Sequence, residues 1–359
     1  MLAVFMLLLG VSVFAQMSTE SWYNFDPEKD NIMGVSSNRA YEELLKDREA
    51  KPVVVAIIDG GTDIYHEDLD AVIWVNEDEI PDNGIDDDNN GYIDDVHGWN
   101  FIGNKDGEDL NHANLEVTRV YRMLSPKWEG KDSADYAENK EFMLYLECKR
   151  TVETEKTNAD NFLVTLSTLR ANLAFADSIL TIYFETEDYT IDQVKKIKEE
   201  PLVEIAEFMA HWMEEEVDVP LVDEIIKQTE SKALYRYNVD FDPRDIVGDD
   251  WTKNDDPYYG NNDVKGPRAG HGTSVAGNVA SIRNNGTGPD GVTENAELMI
   301  IRVVPEGDEY DKDVANAILY AVNNGASIIN MSFGKGYSPQ KLFVDSALRV
   351  ANEHDVLII

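Results

Sequence analysis

The chain is poor in three things, and each shortage excludes a class of protein. It has a single cysteine, Cys148, in 359 residues, so no disulfide can form within it and a disulfide-stapled scaffold is ruled out. Cys148 lies in the helical-looking stretch EFMLYLECKR with no matching histidine pattern, and it reads as a packed structural thiol rather than a nucleophile. Basic residues are scarce: 31 Lys and Arg stand against 70 Asp and Glu, a net charge of −39. Nucleic acid and anionic membrane repel such a polyanion, so neither is expected as a partner. Long apolar runs are scarce too. The opening residues, MLAVFMLLLGVSVFAQ, form one, but a membrane span needs about 20 apolar residues. The run ends in Val13-Phe14-Ala15 and lacks the usual basic start. It is read as a secretory signal peptide over residues 1–15. Export to the periplasm, the cell surface or the medium is expected, with no membrane span elsewhere.

What is present is enough for a core, since 43% of the residues are hydrophobic. KPVVVAIIDGG carries six consecutive apolar residues, Val53 to Ile58, and stops at Asp59. An unbroken β-branched run of this kind fits a strand buried on both faces of a parallel sheet. AELMIIRVV (Ala296 to Val304), GASIINMSFG (Gly325 to Gly334) and DVLII predict three more, with helical patterns between them. Strand alternating with helix predicts an α/β parallel sheet, with functional groups at the carboxyl ends of its strands. Between about residues 104 and 239 the pattern changes to helical periodicity with few glycines. Phe162, Leu166, Leu169, Leu173, Ala176 and Leu180 recur at alternating four and three, one apolar stripe with acidic faces around it. Thr190 with Gln193 forms a capping-box pattern and Pro201 interrupts or restarts a helix. This region is expected to be an inserted, acidic, all-helical subdomain whose stripe is its own core.

Three local patterns carry chemistry: AIIDGGTDIYHEDL, with Asp59 at a strand end; GPRAGHGTSVAGNVAS, with His271 between glycines; and IINMSFG, a strand running into Ser332-Phe333-Gly334. A carboxylate, an imidazole and an extended segment in this order resemble the subtilisin-like serine peptidases, the subtilase family. The resemblance covers roughly residues 50–103 and 240–359, and the helical region lies outside it. It implies a three-layer fold, here incomplete, and hydrolysis of peptide bonds in a peptide or protein substrate. Asp59 would hold and stabilise the imidazole, and His271 would act as the base. Gly60-Gly61 would allow a tight turn, and Gly270 and Gly272 would let substrate backbone come close. Ser332, Phe333 and Gly334 would offer backbone groups to an extended substrate and form part of a specificity pocket. Ser274 follows His271 by one helical turn, but on this reading it is a helix-packing or backbone-bonding hydroxyl rather than the nucleophile.

The resemblance also implies an oxyanion-hole asparagine soon after a strand such as DVLII, and a nucleophilic serine much later. Neither occurs before Ile359. The 359 residues are therefore expected to be an N-terminal portion, inactive alone because the base has no hydroxyl to activate. The implied division is a signal peptide at 1–15, a short segment at 16–50, catalytic-domain parts at 51–103 and 240–359, and the helical insertion at 104–239. The competing reading is a non-catalytic extracellular binding module on a degenerate subtilase fold. Oligomeric state is not legible.

One further motif is acidic. In PDNGIDDDNNGYIDD, Asp86, Asp88 and Asn90 alternate, Gly91 allows a sharp turn, Tyr92 can offer its carbonyl, and Asp94 or Asp95 follows. This spacing fits the first part of a calcium loop, without the distant bidentate Glu. A solvated acidic turn is the alternative. The family resemblance suggests a second calcium site from Asp68 with Asn284 or Asn285.

Overall fold

The computed structural model describes residues 21–359, so the expected signal peptide lies outside the described residues. Five strands form one sheet: β1 (Val53–Asp59), β2 (Gly98–Asn100), β3 (Ala296–Arg302), β4 (Ile328–Met331) and β5 (Leu357–Ile358). Their order is β2-β3-β1-β4-β5, and every pairing is parallel. Seven longer helices follow in chain order. They are α1 (Glu116–Trp128), α2 (Lys140–Phe184), α3 (Leu202–Glu214), α4 (Val219–Ser231), α5 (Gly270–Ala280), α6 (Asp311–Asn323) and α7 (Lys341–Glu353).

The unbroken apolar runs of β1 and β3 follow from burial on both faces. Ala56 and Ile58 of β1, with Met299 and Ile301 of β3, pack into a cluster with Ala315 and Ile318 of α6 and Ala347 and Ala351 of α7. Val55, Ile57, Leu298 and Ile300, at the alternate positions, pack with Ala276 and Ala280 of α5. Successive side chains of a strand point to opposite faces, so two apolar layers demand an apolar residue at every position. The result is an α/β fold of three layers: α6 and α7, the parallel sheet, and α5. Strand β2 is not signalled by any apolar run, because it is only three residues long. Its entry depends on Gly98, at φ +127°, where a Cβ would lie 1.9 Å from the Ile300 carbonyl oxygen.

Helices α1 to α4 occupy the stretch of helical periodicity. Phe142, Tyr145, Cys148 and Val152 on the first half of α2 bury against Val117, Val120 and Leu124 of α1. Further along α2, Leu166 and Leu173 pack with Val222 of α4, and Leu180 packs with Ala206 and Ala210 of α3. The predicted stripe is corrected at its first member: Phe162 is 48% exposed, while Ala159 before it and Leu166 after it are buried. The Thr190–Gln193 capping box is formed, and Pro201 sits at the N-cap of α3. Among the described residues, no helix is long and apolar enough to cross a membrane.

Candidate active site

Strand β1 ends at Asp59, which pairs in register with Arg302 at the end of β3. One Asp59 carboxylate oxygen, Oδ1, accepts from the Gly60 amide at 2.7 Å. The other, Oδ2, lies 2.8 Å from Nδ1 of His271, near the start of α5. The Asp59 side chain is only 6% exposed while that of His271 is 63% exposed. A buried carboxylate thus receives the Nδ1–H of the imidazole, and this fixes the tautomer that leaves Nε2 unprotonated. Nε2 has no hydrogen-bond partner among the described residues.

Close packing brings α5 to the strand end. A Cβ at Gly272 would lie 2.2 Å from the Gly61 carbonyl oxygen and 2.9 Å from Thr62 Oγ1. The expectation that Gly272 makes room for substrate is therefore corrected: its missing side chain lets the helix lie against the turn after Asp59. Gly270 is different, since a Cβ there meets nothing within 4 Å. The Asp63 amide donates to Thr273 Oγ1 at 2.8 Å, and that hydroxyl donates to the Ala269 carbonyl at 2.7 Å. Turn and helix are thereby joined one residue from Gly272.

Arg302 is a site residue that the sequence reading missed. Its side chain is 2% exposed, and its guanidinium donates to the Gly60 carbonyl, the Asp263 carbonyl and the Asp109 carboxylate. It ties the turn after Asp59 to the loop that leads into α5. The available signal was an arginine inside the apolar run AELMIIRVV, where a buried cation requires several acceptors.

Ser274 is exposed, and its hydroxyl has no hydrogen-bond partner among the described residues, so it neither packs nor caps. Its neighbours bond to the backbone instead, Thr273 to Ala269 and Ser281 to the Gly277 carbonyl at 2.8 Å. Beyond β4, Ser332 and Gly334 are exposed and Phe333 is half-buried against the main core. Ser332 Oγ accepts from the Asn330 side chain at 2.9 Å. No backbone group of residues 332–334 has a backbone partner among the described residues.

The acidic loop folds back on itself. Carboxylate oxygens of Glu79, Asp86 and Asp88 all lie within 4.8 Å of one another. Glu79 was not anticipated, because it precedes the motif and joins it only through folding: its carboxylate accepts from the amides of Asp87 and Asp94 at 2.8 and 3.1 Å. Asp94 does not converge with this group. Its two oxygens accept from the amides of Asn83 and Gly84 at 3.0 and 2.9 Å. The Asn90 side-chain oxygen accepts from the Tyr92 amide at 2.8 Å, and its nitrogen donates to Asp88 and Asp95. Burial pushes the Asp95 carboxyl up to about 6, against the hydrogen bonds from Tyr320, Asn90 and Asn76. The Asp86–Asp88 pair with Glu79 forms no ion pair among the described residues, and three clustered carboxylates are the donors a hard cation such as calcium prefers. At the other predicted site, the Asn285 amide nitrogen meets Asp68 Oδ1 at 2.5 Å, whereas the Asn284 amide bonds to Asp290.

The chain is 39% identical over 97 residues to a thermophilic serine proteinase of Bacillus sp. (strain AK1), a segment covering 26% of this chain and 22% of that protein. It is 34% identical over 119 residues to a thermostable alkaline protease of Halalkalibacterium halodurans, covering 33% of this chain and 30% of the relative. A cell wall-associated protease of Bacillus subtilis (strain 168) is 33% identical over 106 residues, 29% of this chain and 12% of the relative. The chain thus spans less than a third of the length of each of these relatives. The sequence profile of the Subtilase family matches residues 50–359, most of the chain. On that match, and on a parallel sheet that carries Asp59 to the imidazole of His271, the chain belongs to the subtilase family.

Proposed function

We propose that this chain belongs to a serine endopeptidase that cleaves peptide bonds in an extended substrate. The observation that carries the reading is the 2.8 Å contact between buried Asp59 and the open imidazole of His271. Asp59 holds the Nδ1–H, so Nε2 can take the proton of a serine hydroxyl as its oxygen attacks the scissile carbonyl carbon. The imidazolium so formed is stabilised by the Asp59 charge and returns the proton to the leaving amine. The serine and the oxyanion-hole asparagine are not among these 359 residues. The substrate backbone pairs with the unbonded groups of Ser332 to Gly334 as an added strand.

On the same reading, residues 51–103 and 240–359 are the two catalytic parts, 104–239 the insertion, and the protein is exported. Glu79, Asp86 and Asp88 would hold calcium, and the ion would supply the positive charge that lets three carboxylates share one loop. The loop is tethered to the core through Tyr92, whose ring meets those of Trp99 and Tyr320 edge-on at 5.1 and 5.0 Å.

The test uses the full-length natural protein and a fluorophosphonate probe. Labelling that disappears in His271→Ala is expected. Labelling that survives the substitution, or a wild-type protein that never labels, overturns the assignment.

A further inference from the structure

Lys335 follows the Ser332–Gly334 edge directly, yet its side chain is 6% exposed. Its ammonium has three donors and three acceptors: Glu116 Oε2 at 2.7 Å, Asp311 Oδ1 at 2.8 Å and the Glu309 carbonyl at 2.7 Å. Asp311 belongs to α6 of the sheet layers, but Glu116 opens α1 of the helical region. Glu116 is itself 2% exposed and is held by Arg119, whose side chain is fully buried. Arg119 also donates to the carbonyls of Asp308 and Glu309 at 3.0 and 2.9 Å and lies 4.0 Å over the Tyr310 ring. Two residues past Lys335, Tyr337 packs into the α1–α2 cluster, and its hydroxyl donates to Glu147 at 2.9 Å. The edge therefore leaves β4 and is fastened at once to the helical region.

We propose that the helical region positions the substrate-binding edge, with Glu116 as the positioning residue acting through Lys335. The inference rests on the reading of residues 332–334 given above. Removing one partner of a buried ion pair leaves the other charge uncompensated. Glu116→Gln strips a carboxylate from both Arg119 and Lys335. Lys335 keeps Asp311 but loses its tie to the helical region, so the edge is released from α1 while the Asp59–His271 contact, which involves neither residue, is kept. A substrate that runs along the edge feels that release. A substrate too short to reach it does not.

The experiment compares the full-length natural protein with Glu116→Gln, Lys335→Met and the double variant on two substrates. One is a four-residue peptide anilide; the other is an ester of a single acylated amino acid. For the peptide, KM is expected to rise about tenfold in either single variant, as misplacement of a binding element predicts. For the peptide kcat, and for both constants on the ester, little change is expected. The double variant should fall short of the sum of the two single ones, because both changes break the Glu116–Lys335 pair while each strips one further partner, Arg119 or Asp311. Equal losses on both substrates, an unchanged peptide KM, or additive effects would each refute the proposal. Lys335→Met conserves bulk and carries the test if Glu116→Gln fails to fold. Failure of the underlying reading looks different: the wild type then cleaves neither substrate in a His271-dependent way.

Discussion

Asp59 and His271 stand 212 positions apart in the chain and 2.8 Å apart in space. The contact joins the end of a central strand to the first turn of a helix that lies beyond the helical region in the chain. Asp59→Asn keeps the shape and removes the charge. The amide can offer Nδ1 the wrong partner, and it cannot stabilise an imidazolium. In the full-length protein kcat should fall by about 10³ or more with KM nearly unchanged. A kcat within tenfold of wild type would count against the pairing as the basis of catalysis.

Two glycines of the same helix should respond in opposite directions. At Gly272 a Cβ would press on backbone 2.2 Å away, whereas at Gly277 nothing lies within 4 Å. Gly272→Ala should cost about 1–3 kcal/mol through overpacking, read as a fall in melting temperature. Gly277→Ala should be neutral or gain up to about 1 kcal/mol from helix propensity. Equal effects would mean that α5 does not lie against the turn after Asp59.

Much of this arrangement was legible because it follows from burial. Strands β1 and β3 announced themselves as apolar runs, since each sits between two helical layers, and Asp59 stood out as the polar residue that ended the first. His271 stood out through its glycine neighbours, although the reason for Gly272 lay in helix–turn packing and not in substrate access. What escaped notice depends on contacts between distant segments. Arg302 matters through acceptors at Gly60, Asp109 and Asp263, and no local pattern predicts that convergence. Glu79 joins the acidic loop only after the chain reverses. Phe162 obeys the same spacing as Leu166, but periodicity cannot say which positions along a helix of 45 residues meet a covering partner.

The acidic loop gives a test that separates two ligand sets. If calcium binds Glu79, Asp86 and Asp88, it should raise stability by about 2.7 kcal/mol at a hundredfold excess over Kd. Glu79→Gln and Asp86→Asn should abolish the rise in melting temperature on calcium addition. Asp94→Asn should keep it, since the Asp94 oxygens are committed to the amides of Asn83 and Gly84. A calcium response lost in Asp94→Asn and retained in Glu79→Gln would restore the motif-based set in place of the folded one.

Cys148 offers a measurement of how firmly the helical region is closed. The residue is fully buried between α1 and α2. Burial pushes its thiol up to about 11. Only the thiolate reacts with alkylating reagents. At pH 8 the gap of about three units leaves roughly one thiol in a thousand ionised, while an unfolded thiol of pKa about 8.5 is about a quarter ionised. Native protein should therefore react with iodoacetamide orders of magnitude more slowly than denatured protein. Because a fully buried thiol reacts only through local opening, the native rate should rise roughly tenfold per pH unit to about 8.5, the pKa of an exposed thiol, and then level off. Because Tyr337 is two residues from Lys335 and packs in the same cluster as Cys148, Tyr337→Ala should speed native alkylation. Native alkylation as fast as in denaturant would show that α1 and α2 do not hold a closed core around the thiol.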